Sequence, residues 1–129
     1  MTTLEILFIL GALGAAPALL ILALRGAVQE SWVLAALLAA GFFALSVFPI
    51  LETGYLGFVP YLSQGLWGTQ VWYDLVIAVV VSLTFIVPRA KAAGMRVLPW
   101  TLAVAFTGSI ALLPMLARLF WLEKQARTA

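Results

Sequence analysis

The chain has 129 residues, of which 65% are hydrophobic and only 9% charged, and its mean hydropathy is +1.16. Soluble domains are only about half apolar, so this excess predicts a membrane protein embedded in a lipid bilayer. Cysteine and histidine are absent, which excludes disulfides and Cys/His metal centres, and the seven basic residues are too few for a nucleic-acid surface. We therefore predict no metal site, no resident cofactor and no nucleic-acid partner.

Four apolar runs predict four transmembrane helices, at about residues 4–24, 32–51, 71–87 and 97–122. At about 1.5 Å per residue, each run crosses or nearly crosses a hydrocarbon core of about 30 Å. We expect one transmembrane domain over residues 1–129. Its predicted fold class is all-α, a four-helix transmembrane bundle with mainly antiparallel neighbours.

Small residues and prolines recur inside these predicted helices. Gly11 and Gly14 lie in the first helix, and Gly108 and Pro114 lie in the last. Small residues let helix backbones approach closely in a membrane, where lipid is as apolar as the helices themselves. We predict that these positions serve helix packing, either within the bundle or against another subunit.

The long connection at residues 52–70 contains no lysine or arginine and is rich in aromatic residues. Tyrosine and tryptophan concentrate where a membrane meets water. Its glycines and its proline argue against a regular helix. We therefore expect a loop lying in a membrane interface.

Basic residues at the ends of the apolar runs predict the topology. Arg25 and the basic turn at 88–96 fall on one side if all four helices cross, and the positive-inside rule then places loops 25–31 and 88–96 in the cytoplasm. The 52–70 connection would face the opposite side of a bacterial inner membrane. Arg118, Lys124 and Arg127 conflict with this prediction, because a fourth crossing carries them away from the other basic residues.

Alternating helix directions would place Glu52, Asp74 and Arg118 at one membrane face. In one interpretation Asp74 caps the third helix and Arg118 pairs with it or reaches toward lipid phosphate. In the other, the three side chains line a polar pocket in which a carboxylic acid exchanges a proton. The sequence leaves both interpretations open.

An aromatic cluster accompanies these charges and has two interpretations of its own. Its rings could bind a flat hydrophobic molecule such as a carotenoid or quinone, or they could form the aromatic belt common at membrane interfaces. Its members are Tyr55, Phe58, Tyr61, Trp67, Trp72 and Tyr73.

Three segments of the second half carry a family resemblance: VWYDLVIA (71–78), PRAKAAGMR (88–96) and FTGSIALLPMLARL (106–119). Their order resembles a family of small bacterial multi-pass membrane proteins of unknown function. A more distant likeness runs to the membrane family that contains the plant neoxanthin-synthesis protein, although Gly and Pro are adjacent there and separated here. That likeness implies an isoprenoid-modifying activity and attaches to Asp74, Gly108 and Pro114.

We expect a non-catalytic accessory subunit that stabilises a larger membrane complex, of an energy-transducing or a pigment-binding kind. This expectation follows from the small size, the small-residue helix faces and the lack of common catalytic motifs. Its partners would be other membrane subunits or further copies of this chain, with bound lipid, carotenoid or quinone as candidate ligands. The alternative is a membrane enzyme or binding protein for a hydrophobic isoprenoid. A transporter ranks last, because the helix centres carry almost no polar residues.

Overall fold

The computed structural model describes residues 2–25 and 31–128, and every regular element in these ranges is an α-helix. The predicted all-α class is therefore confirmed. Within these ranges, three helices are long and apolar enough to cross a membrane. The helices are α1 (Thr3–Arg25), α2 (Trp32–Thr53), α3 (Phe58–Ser63), α4 (Gly65–Ala92), α5 (Val97–Thr107) and α6 (Ser109–Thr128). The chain divides into two compact units, Met1–Glu30 and Ser31–Ala129.

The first unit contains α1, which begins with a capping box. The backbone N–H of Thr2 donates to Glu5 Oε2 at 2.8 Å, and the N–H of Glu5 donates to Thr2 Oγ1 at 3.2 Å. These two bonds satisfy N–H groups that the first helical turn leaves without partners, so Glu5 has a structural role here. Residues 26–30 of the predicted cytoplasmic loop 25–31 lie outside the described residues.

The second unit begins with α2, which packs along α6. Ser31 caps this helix by accepting a hydrogen bond from the N–H of Leu34. Ala35 is buried, and Ala36 and Ala39 are half-buried on the same face. This spacing of three and four residues places one small-residue stripe of α2 on the protein interior. The helix ends at Gly54, whose φ of 82° stops it.

The connection at 52–70 is more helical than its composition predicts. Residues Phe58–Ser63 form α3, and α4 begins at Gly65 rather than at 71. Pro60 is the third residue of α3, where the missing N–H would have no helical partner in any case. Gly65 has a φ of +85° and lets the chain turn back, so that α3 packs against the first turns of α4.

The end of α4 also extends past its predicted limit at 87. Pro88 lies inside the helix, which continues to Ala92. The end is closed by a Schellman motif, in which the N–H of Met95 donates to Ala90 and the N–H of Gly94 donates to Lys91. Gly94 has the positive φ of 81° that this motif requires. The predicted basic turn is therefore a compact helix end.

The predicted helix at 97–122 is wrong, because the chain breaks at Gly108 into α5 and α6. Gly108 has a φ of 60° and a ψ of −127°, a conformation that residues with a side chain rarely adopt. The two helices pack against each other. Two helices that fold back on each other thus replace the predicted single helix. The four-helix bundle is not confirmed.

The buried residues and one ion pair show the direction of α6 relative to α4. One apolar cluster joins the end of α4 to both helices, with the Met95 and Val97 side chains packed against it. A straight 97–128 helix would carry Glu123 about 39 Å from Val97, yet Glu123 bonds Arg89, only eight residues before Val97. The chain therefore turns back at Gly108, and α6 runs beside α4 toward the basic turn. The fully enclosed members of the cluster are Ala90, Val104, Ala111, Met115 and Leu119.

Candidate functional site

The end of α4 is joined to the end of α6 by an ion pair that the sequence analysis did not identify. Arg89 donates through Nε to Glu123 Oε1 at 3.0 Å and through Nη2 to Glu123 Oε2 at 2.6 Å. Its guanidinium also lies 5.7 Å from the ring centre of Phe120. Two parallel hydrogen bonds fix both distance and orientation. The C-terminal end of α6 thus lies beside the 88–96 turn.

This contact gathers six basic side chains at one end of the second unit, which we call the basic end. They come from the last turns of α4, the following turn, and the second half of α6. Glu123 is the acidic residue placed among them. The basic residues are Arg89, Lys91, Arg96, Arg118, Lys124 and Arg127.

Arg118 therefore belongs to the basic end and does not meet Asp74. Its guanidinium lies 4.9 Å from the ring centre of Trp121, a cation–π contact within α6. Asp74 lies fifteen residues before Arg89 on the continuous helix α4, or about 22 Å along its axis. Asp74 and Arg118 thus lie toward opposite ends of the unit. The predicted cluster of Glu52, Asp74 and Arg118 is not assembled.

The capping interpretation of Asp74 is also wrong. The N-cap of α4 is Gln64, and Asp74 lies nine residues inside the helix from Gly65. Its side chain is exposed and has no hydrogen bond or ion pair with any residue in 2–25 or 31–128. Glu52 lies exposed in the last turn of α2. Each carboxylate is a separate surface charge at the end of the unit remote from the basic residues.

The aromatic residues form a groove between α3 and α4. Phe58 stacks on Trp72 with ring centres 6.1 Å apart and an angle of 22°, and Tyr55 meets Phe58 edge-on at 6.4 Å. Such pairs add stabilisation beyond the burial of their area. The groove has a volume of about 330 Å³, and its lining is Phe58, Val59, Leu62, Ser63, Thr69, Trp72 and Tyr73.

The predicted aromatic residues divide between this groove and the outer surface. Trp72 and Tyr73 line the groove, and Tyr55 supports it through Phe58. Tyr61 and Trp67 are 75% and 83% exposed and do not line it. The hydroxyls of Ser63 and Thr69, which the sequence analysis did not single out, give the groove polar atoms. Thr69 Oγ1 donates to the carbonyl of Gly65 at 3.0 Å.

Gly68 brings the two helices of the groove into backbone contact. A Cβ added there would lie 2.6 Å from the carbonyl oxygen of Tyr61 and 3.0 Å from that of Leu62. Backbone oxygens cannot move away as a flexible side chain could. Gly68 is therefore the position that fixes the separation of α3 and α4.

We expect Gly68→Ala to release α3 from α4 and to separate Phe58 from Trp72. Hydrogen–deuterium exchange of residues 58–63, measured by mass spectrometry in mild detergent, should become faster while exchange in α6 stays the same. Gly41→Ala is the matched control, because a Cβ added there meets nothing within 4 Å. Unchanged exchange of residues 58–63 in Gly68→Ala would show that α3 does not depend on this contact.

The chain was compared with protein-family models, curated proteins and solved structures, and none of the three comparisons gave a match.

Proposed function

We propose that this protein is an integral membrane accessory subunit that packs against other membrane helices and stabilises a larger complex. The observation that carries this proposal is the face of α2 that points away from α6. This face is apolar throughout and has a glycine at its centre. Its members are Leu34, Leu38, Gly41, Leu45 and Phe48.

Gly41 distinguishes a partner-binding face from one that only contacts lipid. A glycine inside a helix lowers its stability by about 1 kcal/mol relative to alanine, and contact with lipid does not offset this loss. A Cβ added at Gly41 would meet no atom within 4 Å, so no contact within the second unit requires a glycine there. A neighbouring helix that approaches the α2 backbone at this point does require one. The spacing of leucines around Gly41 gives such a helix side chains to pack against.

The first unit supports the same proposal. Gly11 and Gly14 lie one turn apart in α1, which is itself long and apolar enough to span a membrane. A single helix cannot bury its own small-residue face, so that face needs a second helix. This small-residue face of α1 gives the chain a further surface on which a membrane helix can pack.

The positive-inside rule orients this subunit with its basic end in the cytoplasm of a bacterial cell. Arg118, Lys124 and Arg127 now add to the count of Arg89, Lys91 and Arg96 instead of opposing it. The aromatic groove then lies at the opposite membrane face, at the depth where tyrosine and tryptophan are favoured.

Gly41→Leu should abolish association with the partner without unfolding the chain, because the leucine fills the space that the partner helix occupies. The measurement is affinity purification from native membranes in mild detergent, followed by mass spectrometry of bound subunits. Ala40→Leu, a quarter turn away on α2, is the control and should retain the partner. Purification of the wild-type chain as a lone monomer in several mild detergents would contradict the proposal.

A second candidate function is the binding or modification of a hydrophobic isoprenoid, and the aromatic groove is the observation that favours it. Phe58 and Trp72 offer stacked faces, and Ser63 and Tyr73 carry hydroxyls that can donate to a ring oxygen, whereas the Thr69 hydroxyl already donates to Gly65 and can accept only. A carotenoid or quinone that co-purifies with the wild type and is lost in Trp72→Ala, but kept in Trp67→Ala, would support it.

A further inference from the structure

Five basic side chains of the basic end remain exposed after Arg89 has paired with Glu123. No ion pair joins any of the five to a residue in 2–25 or 31–128. Each therefore presents its positive charge to the surroundings. The five are Lys91, Arg96, Arg118, Lys124 and Arg127.

Trp121 fixes the depth of this charge relative to the apolar part of α6. A tryptophan at the end of an apolar helix favours the boundary between hydrocarbon and headgroups. The Arg118 guanidinium lies over the Trp121 ring at 4.9 Å, and Lys124 follows Trp121 by one turn of the helix. Two cations thus lie at the level where a bilayer carries its phosphate groups.

We propose that the basic end binds the phosphate groups of anionic phospholipids, with Arg118 and Lys124 as the principal contacts. Clusters of four to eight basic residues beside a membrane-spanning segment attract anionic lipid, and each contributes about a fivefold gain in association. The fold-back at Gly108 creates the site, because it brings the charges of α6 to those that follow α4. The Arg89–Glu123 pair holds the two helix ends together and leaves the other cations for lipid.

Quenching of Trp121 by brominated lipid measures this binding directly. The chain has five tryptophans, so the Trp121→Phe variant supplies the signal of the other four, and the difference from wild type belongs to Trp121. In vesicles at low salt, brominated phosphatidylglycerol should quench Trp121 at several-fold lower mole fraction than brominated phosphatidylcholine. This preference should weaken as salt is raised, because salt screens exposed charges.

The double variant Arg118→Gln/Lys124→Gln should lose about 25-fold in preference for phosphatidylglycerol, about fivefold for each residue. The charge-conserving double variant Arg118→Lys/Lys124→Arg should keep most of the preference, and Glu52→Gln, at the other end of the unit, should keep all of it. Inorganic phosphate at constant ionic strength should leave the quenching unchanged, since the ligand is a lipid. Equal quenching by both lipids in the wild type, or an unchanged preference in the glutamine variant, would overturn the proposal.

Discussion

Gly108→Val is expected to destabilise the second unit by about 1 to 3 kcal/mol, the usual cost of a strained backbone conformation. Gly108 has a φ of 60° and a ψ of −127°, and a β-branched residue is among the least compatible with positive φ. The cost comes from the backbone alone, because a Cβ added there would meet no atom within 4 Å. Removing the break also favours a continuous α5–α6 helix.

The measurement for Gly108→Val is thermal unfolding in mild detergent, followed by circular dichroism and tryptophan fluorescence. Gly41→Val is the matched control for the chain without its partner, since Gly41 lies inside α2 in open surroundings. Its effect should stay within about 0.5 kcal/mol, as for other surface substitutions. Equal effects of the two substitutions would mean that the fold-back does not depend on the glycine conformation.

Leu119→Ala should destabilise the second unit by about 2 kcal/mol, at the low end of the range for buried leucines. Leu119 is fully buried in the cluster that joins α4, α5 and α6. In a membrane, the unfolded helix keeps its leucine in apolar surroundings, so the transfer part of the usual cost is small. The remaining destabilisation comes from the cavity and from the lost dispersion contacts.

Leu102→Ala is the control for this prediction, because Leu102 lies in α5 but is 51% exposed. Its loss should change the unfolding free energy by less than about 0.5 kcal/mol. The measurement is denaturant unfolding of both variants in the same detergent. Similar losses for Leu119 and Leu102 would contradict the packing of α6 at the centre of the unit.

The length of the apolar runs predicted the long helices, because a helix that crosses a bilayer needs about 20 consecutive apolar residues. The predicted spans 4–24 and 32–51 agree with α1 and α2 to within about two residues, the usual uncertainty of a helix end. The start of α4 was missed because Gly65, together with Gly54, Gly57 and Pro60, suggests a loop by composition. Gly65 instead supplies a turn, and Gly68 supplies a close contact with α3. Both roles depend on a neighbouring helix that local sequence does not reveal.

The break at Gly108 was missed for a different physical reason. Hydropathy is an average over many residues, and a single glycine hardly changes it, whereas one positive φ reverses the direction of the chain. The sequence did contain a signal of this reversal. Arg118, Lys124 and Arg127 opposed the predicted topology, and a fold-back removes that conflict.

The error in the predicted polar site has the same cause as the error at Gly108. The predicted pairing of Asp74 with Arg118 assumed that every apolar run crosses the membrane, so the error at Gly108 moved Arg118 to the wrong end. The Arg89–Glu123 pair spans 34 residues, and no helical period connects positions so far apart. The aromatic groove was predicted in part, because a shared preference for the membrane interface brings Tyr55, Trp72 and Tyr73 to one region.

The most direct test of the fold-back is to determine on which side of the membrane the C-terminal end of α6 lies. The chain has no cysteine, so single cysteines introduced at Leu56, Ala92 and Ala126 can each be labelled with a membrane-impermeant maleimide in intact and in permeabilised cells. The fold-back predicts that Ala92→Cys and Ala126→Cys share one labelling pattern and that Leu56→Cys shows the opposite one. Labelling of Ala126→Cys on the same side as Leu56→Cys would contradict it and restore a fourth crossing.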